Sequence, residues 1–123
     1  MKEYVNRIPD ERTATVYMQM LQALSIEKLY LDAGLTATKL AERLKIDKRV
    51  ISAVVQRETG NNYTHLVNSM RLREACKMLK SPRYVELTAE QIGLLCGFKS
   101  RQSFYTAFRR MYNETPNGYR NKK

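Results

Sequence analysis

The same pattern of helix caps and apolar positions occurs twice in this chain, and that repetition limits the possible fold more than any other feature. The two copies begin at Asp47 and Ser100, residue types that are preferred at helix N-caps. Three apolar residues follow each cap at one helical spacing: Ile51, Val54 and Val55 in the first copy, and Phe104, Ala107 and Phe108 in the second. This spacing places the three residues on one buried face, so the pattern predicts two similar helical units.

A shorter helical run and a tight turn precede each of these helices. The apolar positions of these runs also correspond: Leu40, Leu44 and Ile46 in the first copy, and Ile92, Cys96 and Phe98 in the second. A short helix, a turn with a buried apolar residue and a second helix with a polar outer face form a helix-turn-helix unit. The second turn contains one extra residue, Lys99.

The rest of the chain is also helical in pattern, with only five glycines, three prolines and no extended alternating run. A first helix is predicted over 12–31, ended by Gly34 in a left-handed cap. We therefore predict an all-α fold of about seven helices, with two helix-turn-helix subdomains joined by a long linker helix. The predicted limits are an N-terminal tail (1–13), the first subdomain (14–62), the linker helix (63–80) and the second subdomain (81–123).

The composition indicates a polyanionic partner and argues against catalysis. The formal net charge is +10, and only four of the 22 Lys and Arg residues precede residue 37. One histidine, no glycine-rich phosphate loop and no Cys/His cluster leave no motif for an enzyme, a cofactor or a metal. Cys76 and Cys96 lie in apolar helical patterns and are predicted to be core residues, which fits a reducing cytoplasm. No stretch is apolar enough to cross or contact a membrane.

The second helix of each unit has the side chains that a DNA-reading helix requires. A major groove admits one α-helix, and its base edges present distinguishable donors and acceptors. The outward polar positions are Lys48, Arg49, Ser52, Gln56 and Arg57 in the first unit, and Arg101, Gln102, Ser103, Tyr105, Thr106 and Arg109 in the second. Two other functions remain open from these residues: a protein-interaction module, and a general nucleic-acid-binding module without sequence preference.

At this level of detail the sequence resembles the AraC/XylS family of bacterial transcriptional regulators. The resemblance rests on LTATKLAERLKIDKRVISAVVQRETG, on RLREACKML, and above all on IGLLCGFKSRQSFYTAFRRMYNETPNGYR. The last segment contains the Gly97-Phe98 turn, Ser100, Thr115-Pro116 and Tyr119-Arg120, which all match the family pattern.

The resemblance implies a bipartite DNA reader, with the two recognition helices in successive major grooves. It implies base-facing positions at Arg49, Ser52, Ala53, Gln56, Arg101, Gln102, Ser103 and Thr106. We expect phosphate contacts from Lys48, Arg57, Lys99, Ser100, Tyr105 and Arg109. Family members often carry Arg at the position of Ala53, so the first helix is expected to read fewer bases than the second.

The resemblance also sets the expected partners. These are double-stranded DNA and, for an activator, RNA polymerase, with the chain acting as a monomer in the cytoplasm at the nucleoid. One helical turn of DNA is roughly 34 Å, so one chain with two recognition helices could span a site without dimerising. Residues 1–13 are too few for the effector-binding domain that most family members carry. The chain is therefore expected to be either a short member or the output module of a larger regulator.

Overall fold

In the computed structural model, residues 8–123 are described, and every regular element in that part of the chain is helical. This confirms the predicted all-α class. The seven α-helices of the described residues are α1 (Asp10–Leu21), α2 (Ala37–Leu44), α3 (Lys48–Thr59), α4 (Tyr63–Lys80), α5 (Ala89–Leu95), α6 (Arg101–Tyr112) and α7 (Pro116–Asn121). Shorter segments are a π-helical turn at Gln22–Ile26 and 3₁₀ turns at Leu29–Leu31 and Pro82–Tyr84.

The chain divides into two compact units. Unit 1 contains the described part of Met1–Leu29 together with Leu35–Val67, and unit 2 contains Tyr30–Gly34 together with Asn68–Lys123. Helix α4 thus begins in unit 1 and continues into unit 2. Helix α1 begins at Asp10, so the described residues 10–13 are helical rather than part of the predicted tail. The other predicted subdomain limits stay predictions.

In unit 1, helix α3 is packed against both α1 and α2. Two neighbours bury a wide arc of α3, including Val50, Ile51 and Val54. The two preceding helices also contribute buried residues, among them Met20 and Leu40, which are both 0% exposed. This unit therefore holds α3 by its inner face and leaves the opposite face toward solvent.

The predicted single helix over 12–31 is wrong in its second half. Helix α1 ends at Leu21, and the backbone widens into the π-helical turn before Lys28 takes a left-handed conformation, with φ 55°. The helix-ending left-handed residue is therefore Lys28 and not Gly34. Asp32 accepts a hydrogen bond at 2.8 Å from the Gly34 backbone N–H, which is a local turn of the kind that Asp side chains favour.

The core of unit 2 is built on aromatic residues from α6. Phe104 and Phe108 are 1% and 0% exposed, and their ring centroids lie 5.8 Å apart in an edge-to-face arrangement. Phe98, from the turn before α6, packs 5.2 Å from Phe104. Arg71 joins Tyr30–Gly34 to this unit, since its guanidinium donates to the carbonyls of Tyr30 at 2.7 Å and Asp32 at 3.0 Å.

The predicted core position of Cys96 is confirmed, while Cys76 is only partly buried. The Sγ of Cys96 lies 3.6 Å from the Sδ of Met78, inside the same apolar cluster. Burial raises the pKa of Cys96 to about 12, because a thiolate would be poorly solvated there. The thiol is therefore neutral and acts as a small apolar side chain.

Candidate nucleic-acid interface

The first helix-turn-helix consists of α2 and α3. Thr36 caps α2 by accepting a hydrogen bond from the Lys39 backbone N–H at 3.1 Å. The turn is made by Lys45 at φ 58°, a left-handed conformation that lets the chain reverse within a few residues. Asp47 then caps α3 by accepting from the Arg49 N–H at 2.7 Å, as the sequence predicted.

The outer face of α3 is polar. Lys48, Arg49 and Gln56 are exposed, and Ser52 is half-buried. Ser52 and Gln56 also line an open groove of about 470 Å³, which residues at the starts of α2 and α4 complete. Four of the residues predicted for the outer face of α3 therefore lie on it.

Ala53 is not on that face. Its exposure is 0%, and it lies in the core beside Val54 and Val55. The prediction counted only the apolar residues at the regular spacing as inward. Because α1 and α2 both pack against α3, the buried arc is wide enough to include Ala53 as well. Ala53 is therefore withdrawn from the base-facing set.

Arg57 is also placed differently from the prediction. Its guanidinium donates to the Ile8 carbonyl at 2.6 Å and to the Thr13 hydroxyl at 3.3 Å, and it forms an ion pair with Asp10. All three partners belong to the entry into α1. These contacts fasten the start of α1 to α3, and they occupy the guanidinium that was predicted to contact a phosphate.

The second helix-turn-helix consists of α5 and α6, and both helices begin with a capping box. Thr88 and Gln91 form one box at α5, and Ser100 and Ser103 form a second one at α6. Between the helices, Gly97 has φ 105°, a conformation that strongly favours glycine. A Cβ at Gly97 would also lie 2.5 Å from the Tyr30 carbonyl oxygen, so both backbone angle and space require glycine.

The predicted base-facing residues of α6 are all exposed: Arg101, Gln102, Ser103 and Thr106. Among them, Ser103 is already committed to the cap, because its hydroxyl donates to the Ser100 carbonyl at 2.9 Å. The predicted phosphate contacts Lys99, Ser100 and Arg109 are exposed as well, whereas Tyr105 is half-buried. The structure therefore gathers these residues around the N-terminal half and outer side of α6.

Both arginines proposed to face bases are held by carboxylates of their own unit. Arg49 Nη2 lies 3.1 Å from Asp47 Oδ2, and these Arg49 contacts lower the pKa of Asp47. In unit 2, Arg101 Nε lies 3.1 Å from Glu90 Oε1, and the guanidinium carbon lies 4.9 Å from the centre of the Tyr105 ring. Both ion pairs are exposed to solvent, with 72% of the Arg49 side chain and 68% of the Arg101 side chain accessible.

Glu90 and Asn117 are residues near this face that sequence reasoning did not single out. Asn117 Nδ2 lies 3.3 Å from the Tyr105 hydroxyl and can donate to it. Glu90 occurs inside the capping-box sequence, where its evident role is the favourable charge of an acidic residue in the first turn. Its distance from Arg101 becomes visible only when α5 and α6 are packed together.

Two other kinds of site do not occur within residues 8–123. That part of the chain contains no group of three or more His, Cys, Asp or Glu side chains that could hold a metal ion. None of its helices is long and apolar enough to cross a membrane.

Comparison with known proteins agrees with this geometry. A family profile described as a helix-turn-helix domain matches residues 40–122, which include both units' recognition helices. The chain belongs to the AraC/XylS family. The C-terminal domain of AraT, a response regulator from Geobacillus stearothermophilus, is similar with a TM-score of 0.75 and 27% identity over 86% of this chain and 84% of that one. AraC/XylS proteins are DNA-binding regulators of transcription and not enzymes.

Curated bacterial relatives of the AraC/XylS type extend beyond the matched region. The xylose operon regulatory protein of Escherichia coli K12 is 24% identical over 115 residues, which are 89% of this chain and 29% of the relative. The transcriptional activator RhaS of Escherichia coli SE11 is 30% identical over 81 residues, or 66% of this chain and 28% of the relative. The chain thus spans about a third or less of the length of these two relatives.

Proposed function

We propose that this chain recognises a bipartite site in double-stranded DNA, with α3 in one major groove and α6 in another, and that it thereby controls transcription of a nearby promoter. The observation that carries this proposal is the outer face of α6. Arg101, Gln102 and Thr106 project from a helix whose opposite face is fixed by Phe104 and Phe108. A rigid helix with hydrogen-bonding side chains on one side is what direct readout in a major groove requires.

The proposed roles follow from side-chain chemistry. Arginine can pair with two guanine acceptors, and glutamine can pair with the acceptor and donor of adenine. We assign base contacts to Arg49, Ser52 and Gln56 on α3, and to Arg101, Gln102, Ser103 and Thr106 on α6. The Ser103 hydroxyl already donates within the cap, so it would contact a base through its remaining acceptor capacity. Phosphate contacts are assigned to Lys48, Lys99, Ser100, Tyr105 and Arg109.

The wider setting is part of the same proposal. The chain would act in the bacterial cytoplasm at the nucleoid and bind its site as a monomer, since it carries two recognition helices. RhaS is named a transcriptional activator. If this protein also activates, RNA polymerase is its expected partner.

The test compares the loss of one positive charge at three positions. Arg101→Ala should relax the preference at one base pair, weakening binding to the preferred duplex by about 1–3 kcal/mol. Arg109→Ala should weaken binding to all duplexes similarly and reduce the salt dependence by about one counterion. Lys77→Ala removes an exposed cation on α4 and serves as the charge-matched control. Fluorescence anisotropy across salt concentrations measures all three.

Two results would contradict the proposal. If the unmodified chain bound every duplex with equal affinity, it would be a general nucleic-acid-binding module. If Arg101→Ala bound and discriminated like the unmodified chain, α6 would not read bases where we place it, and a protein partner for that face would be favoured.

A further inference from the structure

Arg101, the first residue of α6, contacts a carboxylate of α5 and an aromatic ring of its own helix. Its Nε lies 3.1 Å from the Glu90 carboxylate on α5, and its guanidinium lies over the Tyr105 ring on α6, 4.9 Å from the ring centre. Tyr105 is contacted in turn by Asn117 of α7, with 3.3 Å between the amide nitrogen and the phenolic oxygen. The four side chains thus form one series of contacts: the Glu90 carboxylate, the Arg101 guanidinium, the Tyr105 ring and the Asn117 amide.

This arrangement matters because arginine is a long side chain with many rotamers. A free arginine must lose that freedom when it binds a base, which weakens binding to the correct partner. Here 68% of the Arg101 side chain is exposed, yet it already has an ionic contact and an aromatic one. Positioning by these two contacts would reduce the rotamer freedom that Arg101 loses on binding a base.

The atom that Glu90 contacts also determines which guanidinium nitrogens remain available to a base. A guanidinium has one inner nitrogen, Nε, and two terminal nitrogens that point away from the chain. With the carboxylate at Nε, the two terminal nitrogens form the edge available for recognition. This edge matches the O6 and N7 acceptors of guanine, which lie side by side in the major groove.

We propose that Glu90 is a positioning residue for DNA readout, which fixes Arg101 over Tyr105 so that α6 requires guanine at one position of its site. This inference rests on the proposed function, since it takes Arg101 to be base-facing. It adds that specificity at this position depends on a carboxylate that does not touch DNA.

The loss of positioning and the loss of a negative charge have opposite effects on DNA binding. A carboxylate near DNA repels phosphate, so its removal alone should tighten binding to every duplex. Loss of positioning should instead weaken binding to the guanine duplex relative to the other three. Glu90→Gln removes the charge while keeping the size of the side chain, so it tests both effects in one variant.

The experiment uses the 123-residue chain and four duplexes of its selected site, which differ only at the position that Arg101→Ala relaxes. The unmodified chain should prefer guanine there by about tenfold to a hundredfold. Glu90→Gln should reduce that preference to threefold or less, while its affinity for a random duplex stays equal or rises. Tyr105→Leu should also reduce the preference, because it removes the ring below the guanidinium.

Two controls make the result specific. Glu86→Gln removes an exposed carboxylate of the same unit and should leave the guanine preference unchanged. In the Arg101→Ala background, Glu90→Gln should alter no base preference. Thermal unfolding by circular dichroism should verify that each variant is folded at the assay temperature.

The outcomes distinguish this inference from the function on which it rests. If Arg101→Ala relaxes no position, the proposed base-reading role of α6 fails and the positioning role fails with it. If Arg101→Ala relaxes a guanine position but Glu90→Gln keeps the full preference, only the positioning role is overturned. A relaxed position that prefers a base other than guanine also overturns it.

Discussion

At Gly93, on α5, the two helices of the second helix-turn-helix lie in close contact. A Cβ placed there would lie 2.4 Å from Cδ2 and 2.5 Å from Cγ of the Phe104 ring. Carbon atoms in favourable contact are roughly 3.5–4 Å apart, so Gly93→Ala would push the ring away by about 1 Å. Phe104 is 1% exposed and packs against Phe98 and Phe108, so the ring has little room to move.

The expected cost can be worked out from two opposing effects. Overpacking a closely packed core costs about 1–3 kcal/mol, and the 2.4 Å contact places Gly93→Ala at the upper end. Alanine in a helix interior recovers about 1 kcal/mol relative to glycine. We therefore expect a net loss of about 2 kcal/mol in the free energy of unfolding. Because Phe104 lies on the inner face of α6, we also expect weaker DNA binding.

Urea unfolding followed by far-ultraviolet circular dichroism measures this loss. Gly118→Ala on α7 is a suitable control, since its nearest contact would be the Thr115 hydroxyl at 3.0 Å, and we expect a change of less than about 1 kcal/mol. The Gly93→Ala, Phe104→Leu double variant should lose less free energy of unfolding than the sum of the two single losses, because the smaller leucine relieves the contact with the new Cβ. If Gly93→Ala were as stable as the unmodified chain and bound DNA equally well, the close packing of α5 on α6 would be refuted.

Three further predictions follow from named contacts. Arg57→Met should lower the free energy of unfolding, measured in urea, by about 1–2 kcal/mol, because it removes the hydrogen bonds to the entry of α1. Unchanged stability together with a weaker salt dependence of DNA binding would instead indicate that Arg57 contacts a phosphate. Burial raises the pKa of Cys96 from 9.0 to about 12, so the stability that the neutral thiol contributes should be present below pH 9 and be lost as the pH rises toward 12. The loss should be at most about 1.4 kcal/mol per pH unit. A Cys96→Ala variant with the same alkaline loss of stability would contradict the role of the Cys96 thiol. Lys99→Ala should weaken binding to all duplexes equally, and a change in base preference measured by anisotropy would contradict its phosphate assignment.

Much of the fold could be predicted because the signals are local. Asp47 and Ser100 cap the two helices for which their sequence positions predicted them. Two further local signals occur at the C-terminal end: Asn113 takes a left-handed conformation after α6, and Pro116 begins the last helix. Caps, turns and helical spacing each involve only a few neighbouring residues, so one sequence is enough to read them.

The errors arise where packing between helices decides the result. The apolar run after Leu21 continues, but its backbone changes to a π-helical turn and then a left-handed residue, which the spacing of apolar residues does not encode. Ala53 is buried because two helices cover α3, and Arg57 is occupied because α1 enters beside it. Glu90 was missed for the same reason: its partner Arg101 is on another helix.

The central claim is that this chain reads DNA sequence with both recognition helices, and selection of bound duplexes from a random pool tests it most directly. The account predicts an enriched site with two separated blocks, one of which contains a guanine whose enrichment disappears when Arg101→Ala is used in the same selection. A pool that remains random after repeated selection, or a single block unaffected by changes in α6, would contradict it.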